Sequence, residues 1–481
     1  MASNLKQTIL PETCSLREAN ERMNEGIGGA LILIDANGIM TGILTDGDLR
    51  RAMLNGATLD DGVSSHMNSK FRHATVGTDR SELLKVMDNR IRHLPIIDED
   101  GRPTDIVSWN DIWQLPISSP SLGGNELKYI SECIRTMWIS SQGRYVTEFE
   151  DAVRGFVGAN HSVSTTSGTT ALQLALTALG IGEGDEVIVP ACTFGASANA
   201  VIHARATPIF VDIDPTTKTI SPDAIASSLT KRTRAIMPVH LYGHPCDMDA
   251  VMEIANQNKL RVVEDCAESL GSRYKGQMVG SFGDAACFSF FANKVITTGE
   301  GGMVLAREEA IYERMRLLRD HGMKKDQRYW HLEPGFNFRM TNMQAAIGLA
   351  QMERIDEFLT RRFSIASVYK EMLANVPELS LPPDAPWARN IHWLYCIELL
   401  RHDRDSILAL MNDMGVDTRP VFPALHVQPA FGNHPLGTHP VAEKYARNGL
   451  CLPNSAAMTV EDAQRVAERV LKALSVSNSK T

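Results

Sequence analysis

The sequence predicts an α/β protein: a large domain around a mostly parallel sheet, a smaller C-terminal α/β unit, and a small repeated module in front of both. Three observations predict it. Short apolar runs alternate with helical patterns from about Val163 onward. A Pro-, Ser- and Gly-rich stretch, Leu115–Gly124, has the composition of a domain boundary. The residues before that boundary repeat themselves. A chain of 481 residues is also too long for one ordinary core.

The repeat comes first in the chain. Leu31–Gly38 followed by Gly42–Leu49 is echoed by Leu94–Gly101 followed by Asp105–Ile112. Thr45 and Ser108 are 63 positions apart, as are Asp48 and Asp111. Each copy reads as a short strand, a turn at Asp-x-x-Gly, a second strand, then a helix opened by the Thr or Ser. This pattern resembles a tandem CBS-domain (Bateman) module. The resemblance implies that Thr45, Asp48, Ser108 and Asp111 hold the phosphate and ribose of an adenine nucleotide. A hydroxyl at a helix start suits phosphate, and a carboxylate suits paired ribose hydroxyls. The other reading makes Thr45 and Ser108 helix caps and the two aspartates dipole partners. Asp105 stands where this pattern commonly has Gly, which weakens the second pocket.

Next come the linker, expected over 116–125, and the large domain, 126–362. Strands are expected at Val187–Pro190, Pro208–Val211, Ala235–Val239 and Leu260–Asp265, with helical patterns such as Thr170–Leu179 between them. Apolar strands separated by helices argue for a parallel sheet covered on both faces. In such sheets ligands sit beyond the carboxyl ends of the strands.

Three segments fall at those ends and carry chemistry. Val163–Leu172 runs from a strand through Ser167, Gly168 and Thr169 into a helix, a turn whose N–H groups can cup a phosphate or simply be capped. Val262–Ser269 ends a strand on Glu264 and Asp265, with Glu268 close behind. A carboxylate there can keep a pyridine nitrogen protonated or cap the next helix. Cys287–Gly302 places a lone Lys294 in an apolar, aromatic run before the Gly-Glu-Gly-Gly turn. Burial lowers a lysine's pKa and frees its amine to condense with an aldehyde; the bland alternative is a snorkelling surface lysine.

The order of Ser-Gly-Thr, Thr-Phe, Glu-Asp, Phe-Ser-Phe, Lys and Gly-Glu-Gly-Gly resembles the DegT/DnrJ/EryC1/StrS family of sugar aminotransferases from about residue 118 to 475. That resemblance implies the fold-type-I aminotransferase architecture and pyridoxal 5′-phosphate. It implies that Lys294 links to the cofactor and shuttles protons, that Asp265 pairs with the pyridine nitrogen, and that Phe194 stacks on the ring. Gly168, Thr169 and Ser289 would hold the phosphate. Asn337 would reach the neighbouring subunit's phosphate and Arg339 the donor's carboxylate, so a homodimer or higher homo-oligomer is implied. The family commonly has Gln at the position of Glu268, contacting the ring oxygen. Lysine rather than histidine at 294 argues for transamination over the dehydration of a related branch.

The implied substrates are glutamate, which returns as 2-oxoglutarate, and a nucleotide-linked 4-keto-6-deoxyhexose. Pro120–Glu126, Trp138–Gly143, Asn390–Tyr395 and Gly415–His426 resemble the subgroup that converts GDP-4-keto-6-deoxymannose to GDP-perosamine for surface polysaccharides such as O-antigen. A UDP- or dTDP-linked sugar is the nearest alternative, and a non-catalytic protein sensing cofactor or sugar nucleotide the alternative of another class. Arg419 and His426 are candidate substrate ligands; their other reading is a salt-bridged arginine and a solvated loop histidine.

The smaller unit is expected over 363–475. It has a strand at Leu394–Leu399, a helix opened by Asp403 and stopped by Gly415, and a closing helix from Thr459. A disordered tail is expected from Ser475, with the domain ending at 475 and the tail at 476–481. The formal net charge of −9, and 12 Lys/Arg against 17 Asp/Glu in residues 1–115, give no footprint for nucleic acid or an anionic membrane. Eight cysteines without a CxxC pair read as reduced, buried thiols rather than metal ligands. The N-terminus carries no secretory signature, so a cytoplasmic protein is expected.

Overall fold

The computed structural model describes residues 5–25, 29–78, 82–83, 86–87, 91–108, 114–432 and 437–478. The chain divides into two compact units, 1–114 and 115–481.

The front unit carries the repeat in its sheets. Ile9–Pro11, Ala30–Ile34 and Met40–Thr45 form one three-stranded sheet, with the first pair parallel and the second antiparallel. Ala74–Thr75, His93–Ile97 and Pro103–Ser108 form another with the same pattern. Thr45 caps the helix Asp46–Leu54 in a capping box with Asp48, so the capping reading of these two residues holds in the first copy. Ser108 ends its strand, and Asp111 lies outside the described residues.

The second unit is built on a seven-stranded sheet. Its order is His161–Thr165, Gly302–Ala306, Ala285–Ser289, Arg261–Asp265, Thr233–Ile236, Glu186–Pro190, Thr207–Val211. Only Gly302–Ala306 runs against its neighbours; the other pairings are parallel. Val187 and Val189 pack to one face with Leu172, Leu174 and Met315. Ile188 packs to the other with Ile236, Val251 and Val262. This alternation is the period of two that a doubly covered sheet requires.

The C-terminal part holds a four-stranded antiparallel sheet, Leu379–Ser380, Tyr395–Leu399, Gly449–Leu452 and Arg419–Pro420. The helix Arg404–Asp413 is capped by Asp403, and Gly415 beyond it sits at φ +81°. Next to the expected linker, 116–125, Leu115 bonds to Gly415 and Asp417, and within it Ser118 Oγ donates to the Asn293 carbonyl at 3.2 Å. One sequence expectation is revised. The closing helix Val460–Asn478 runs past Ser475, since Ala473 and Leu474 are buried and continue its apolar stripe. No helix among the described residues is long and apolar enough to cross a membrane. All eight cysteines are buried and unbridged.

Candidate active site

The carboxyl ends of four parallel strands supply the site. Thr165 leads into Ser167 and the helix Gly168–Ala178, whose first turn is closed by a capping box between Ser167 and Thr170. Among the described residues the N–H groups of Gly168 and Thr169 meet no acceptor, so they are available to an anion. Gly168 presses against Ser289 so closely that a Cβ would stand 2.9 Å from the serine's own Cβ. The first turn of this helix and the end of the strand Ala285–Ser289 therefore form one cup.

Asp265 ends its strand 5% exposed. Ser197 Oγ donates to Oδ2 at 2.7 Å and the Ala267 N–H to Oδ1 at 3.1 Å. Burial raises this carboxyl above the usual range, opposed by the bond from Ser197. Ser197 stands one turn beyond Phe194, whose ring is 61% exposed and tilted against Phe422 at 5.7 Å. An aromatic face left open beside a buried carboxylate is a platform for a flat ring.

Lys294 lies in the bend after the strand Ala285–Ser289. Its Nζ is 3.6 Å from Glu268 Oε1 and 3.7 Å from the centre of the Trp393 ring. Burial pulls the amine below lysine's usual pKa, while Glu268 and Asp265 act the other way. Burial pushes Glu268 up to about 7. Tyr242, held at φ +52°, donates its N–H to Glu268 Oε2 at 2.8 Å and stacks its ring on Trp393. The snorkelling reading of Lys294 therefore fails.

Behind Asp265, Glu264 accepts the N–H groups of Gly280, Phe282 and Gly283, each at 2.8 Å, and lies 3.2 Å from His240 Nε2. His240 Nδ1 accepts from the Cys246 N–H, which leaves the Nε2–H to donate to Glu264. With Cys266 these groups lie within metal-ligating reach of one another. The histidine and the carboxylate are already committed to hydrogen bonds, which makes them scaffolding for the strand end.

The remaining predicted residues lie apart from this cluster. Arg339 pairs with Asp320 at 2.5 Å and donates to Asn337 Oδ1 at 3.2 Å. Among the described residues neither Asn337 nor Arg339 has a hydrogen bond or ion pair to Lys294, Asp265 or Glu268. Arg419 is exposed and paired with Asp417 at 3.1 Å, as its bland reading had it. His426 is not solvated: it is 6% exposed, 3.1 Å from Glu443, and packed edge-on against His439. Sequence reasoning did not single out Ser197, Tyr242 or Trp393. Trp393 lay inside a stretch read as facing the sugar nucleotide, and Ser197 has only the signature of a helix start.

Comparison with known proteins decides the family. Residues 120–471 match the DegT/DnrJ/EryC1/StrS aminotransferase family, and residues 4–55 and 63–112 match CBS domains. The chain belongs to the DegT/DnrJ/EryC1/StrS aminotransferase family. It is 45% identical over 361 residues to the GDP-perosamine synthase of Caulobacter vibrioides, covering 74% of this chain and 97% of that one. It is 42% identical over 358 residues to the GDP-perosamine synthase of Escherichia coli O157:H7, with the same coverage. The crystal structure of DesV from S. venezuelae superposes with a TM-score of 0.69 at 36% identity, covering 72% of this chain and 94% of that one. As a member of this family the chain is a sugar aminotransferase whose cofactor is pyridoxal 5′-phosphate, and it carries tandem CBS domains. The residues present fit that cofactor. Free N–H groups sit at a helix start for the phosphate, an open aromatic face for the ring, a buried carboxylate for its nitrogen, and a desolvated amine for its aldehyde.

In the front unit, a cavity of about 540 Å³ is lined by Thr45 and Asp48 together with Arg50, Lys70, Arg72 and Arg92. Asp48 is already engaged by Thr45 and by Arg51 at 2.5 Å. Among the described residues Lys70, Arg72 and Arg92 have no carboxylate partner, so the cations are the cavity's available groups.

Proposed function

We propose that the enzyme transfers the amino group of glutamate to the 4-keto carbon of GDP-4-keto-6-deoxymannose, giving GDP-perosamine and 2-oxoglutarate. The observation that supports this substrate is the 45% identity across 97% of the length of the Caulobacter vibrioides GDP-perosamine synthase. Bound pyridoxal phosphate supplies an aldehyde that an amine can hold covalently and a ring that draws electrons from the carbon losing its proton. In the proposed roles, Lys294 Nζ would hold the aldehyde and then carry the proton between the substrate carbon and the carbon that bore the aldehyde. Asp265 keeps a proton on the pyridine nitrogen, and Ser197 keeps Asp265 oriented. Phe194 covers one face of the ring, while Gly168, Thr169 and Ser289 bind its phosphate. Arg339 takes the carboxylate of glutamate by a planar fork. Arg419 and His426 flank the sugar nucleotide.

Asn337 is exposed, and five large apolar side chains between Leu127 and Ile139 stand half or more exposed. Such a surface is commonly an interface, which supports a homodimer in which Asn337 reaches the partner's phosphate. The front module is proposed to bind an adenine nucleotide, with Lys70, Arg72 and Arg92 facing its phosphates. Calorimetry on the full chain with AMP and ATP checks this. Binding lost in the triple alanine variant is expected, and no heat at millimolar nucleotide would leave the module an assembly role.

The substrate is tested with GDP-, UDP- and dTDP-linked 4-keto-6-deoxyhexoses, glutamate and mass detection of the amino sugar. The GDP sugar is expected to be aminated with the highest kcat/KM. Preference for a UDP or dTDP sugar replaces the substrate. No amination of any of them by cofactor-loaded protein would favour a sensor instead.

A further inference from the structure

The structure shows what the Glu268 carboxylate faces. Oε2 is fixed by the Tyr242 N–H at 2.8 Å, and Oε1 points to Lys294 Nζ at 3.6 Å. The Glu268 side chain is 5% exposed and that of Lys294 13%, so little water reaches the pair. The indole of Trp393 covers the amine on another side at 3.7 Å. Asp265, the other carboxylate near this amine, has its two oxygens engaged by Ser197 and Ala267. Among the described residues the remaining titratable groups facing Glu268 are Tyr242, Cys192 and Cys396, all raised by burial and therefore neutral. An amide could accept the same N–H from Tyr242, but it could not take up a proton.

A lysine cannot attack an aldehyde while it is an ammonium, because it has no free electron pair. Nor can it easily surrender a proton to water that the site excludes. We propose that Glu268 is the proton partner of Lys294, accepting the ammonium proton when the amine must become nucleophilic and returning it afterwards. In this step an N–H bond of the ammonium breaks and its electron pair stays on Nζ. A new O–H bond forms on the Glu268 carboxylate, and the pair passes from two opposite charges to none. The net charge of the site is unchanged. Burial, which pushes the Glu268 carboxyl up to about 7, matches it to this task near neutral pH. The inference rests on Lys294 being the lysine that holds the cofactor.

The test compares cofactor-free wild type, Glu268→Gln and Glu268→Ala. Binding of pyridoxamine phosphate, which needs no lysine chemistry, is followed by fluorescence. Covalent capture of pyridoxal phosphate is followed by borohydride quenching at timed intervals and counting of labelled Lys294 by mass spectrometry. Glu268→Gln is expected to bind pyridoxamine phosphate as wild type does, yet to capture pyridoxal phosphate about a hundredfold more slowly at pH 7. The wild-type capture rate should rise as pH passes through about 7, and Glu268→Gln should lack that step. Formate should restore capture in Glu268→Ala, and formamide should not. Capture by Glu268→Gln at the wild-type rate and pH profile would overturn the proposal. So would a parallel loss of pyridoxamine phosphate affinity, which would make the carboxylate a matter of shape. Absence of label on Lys294 in the wild type at any time would instead overturn the underlying assignment of the lysine.

Discussion

Ser197 joins the loop that carries Phe194 to the carboxylate of Asp265, so its loss should be felt at the cofactor before it is felt in the fold. A hydrogen bond to a charged group contributes roughly 1.5–3 kcal/mol. Ser197→Ala is therefore expected to weaken pyridoxal phosphate binding about tenfold or more and to lower kcat, with a modest fall in melting temperature. Wild-type affinity in this variant would detach Ser197 from the site. His244 gives a prediction about acid. Its Nδ1 contacts the Pro245 carbonyl at 2.8 Å, its Nε2 is buried without a partner, and burial pushes its pKa down from 6.5 to about 4. A group depressed in the folded state stabilises the fold fully above its unfolded value and loses that contribution as pH falls through the folded one. The loss should run between about pH 6.5 and 4, amounting to roughly 3 kcal/mol at most. Denaturant unfolding across that range should show a shallower slope in His244→Gln, and an unchanged slope would place the acid sensitivity elsewhere. At this scale the sequence singled out Lys294, alone in an apolar, aromatic run, and Asp265, at a strand end where capping was an equal reading; the structure buries both. It hid Trp393 and Tyr242, which act through a ring face and a backbone N–H, properties that residue identity does not announce.

The proposed cup for the phosphate depends on two elements meeting, the helix Gly168–Ala178 and the strand Ala285–Ser289. Gly168→Ala puts a methyl group 2.9 Å from the Cβ of Ser289, and overpacking of this kind costs about 1–3 kcal/mol. Pyridoxal phosphate affinity should fall about tenfold, since 1.4 kcal/mol is a factor of ten. Gly155→Ala, on the helix Arg144–Val157 with nothing within 4 Å of the new Cβ, should leave affinity alone and raise stability slightly. Equal loss in both variants would contradict the close-approach argument. The strands Glu186–Pro190 and Thr207–Val211 were legible as apolar runs because they are covered on both faces. In the segment after Leu115, Pro, Ser and Gly report an irregular backbone and not what it touches. There the Ser121 carbonyl accepts from Gln351 at 2.9 Å and its hydroxyl from Arg354 at 3.3 Å. The helix beyond Ser475 was missed for a related reason: a polar, small-residue ending looks unstructured until the stripe of Val470, Ala473 and Leu474 is seen to be buried.

For the whole molecule, the proposed assembly and the proposed chemistry depend on one another. Leu127, Met137 and Trp138 are 78%, 85% and 57% exposed in the single chain. Sedimentation should show a dimer or a larger even-numbered assembly, and Asn337→Ala should weaken cofactor binding without dissociating it. A fully active monomer would contradict the role given to Asn337. The expectations about the cofactor depend on the amine of Lys294 holding it. The most direct measurement is borohydride reduction of the cofactor-loaded enzyme followed by peptide mass spectrometry. One phosphopyridoxyl group on Lys294 per chain is the predicted result, together with its disappearance in Lys294→Ala. A label on any other lysine, or none on a loaded protein, would contradict the account.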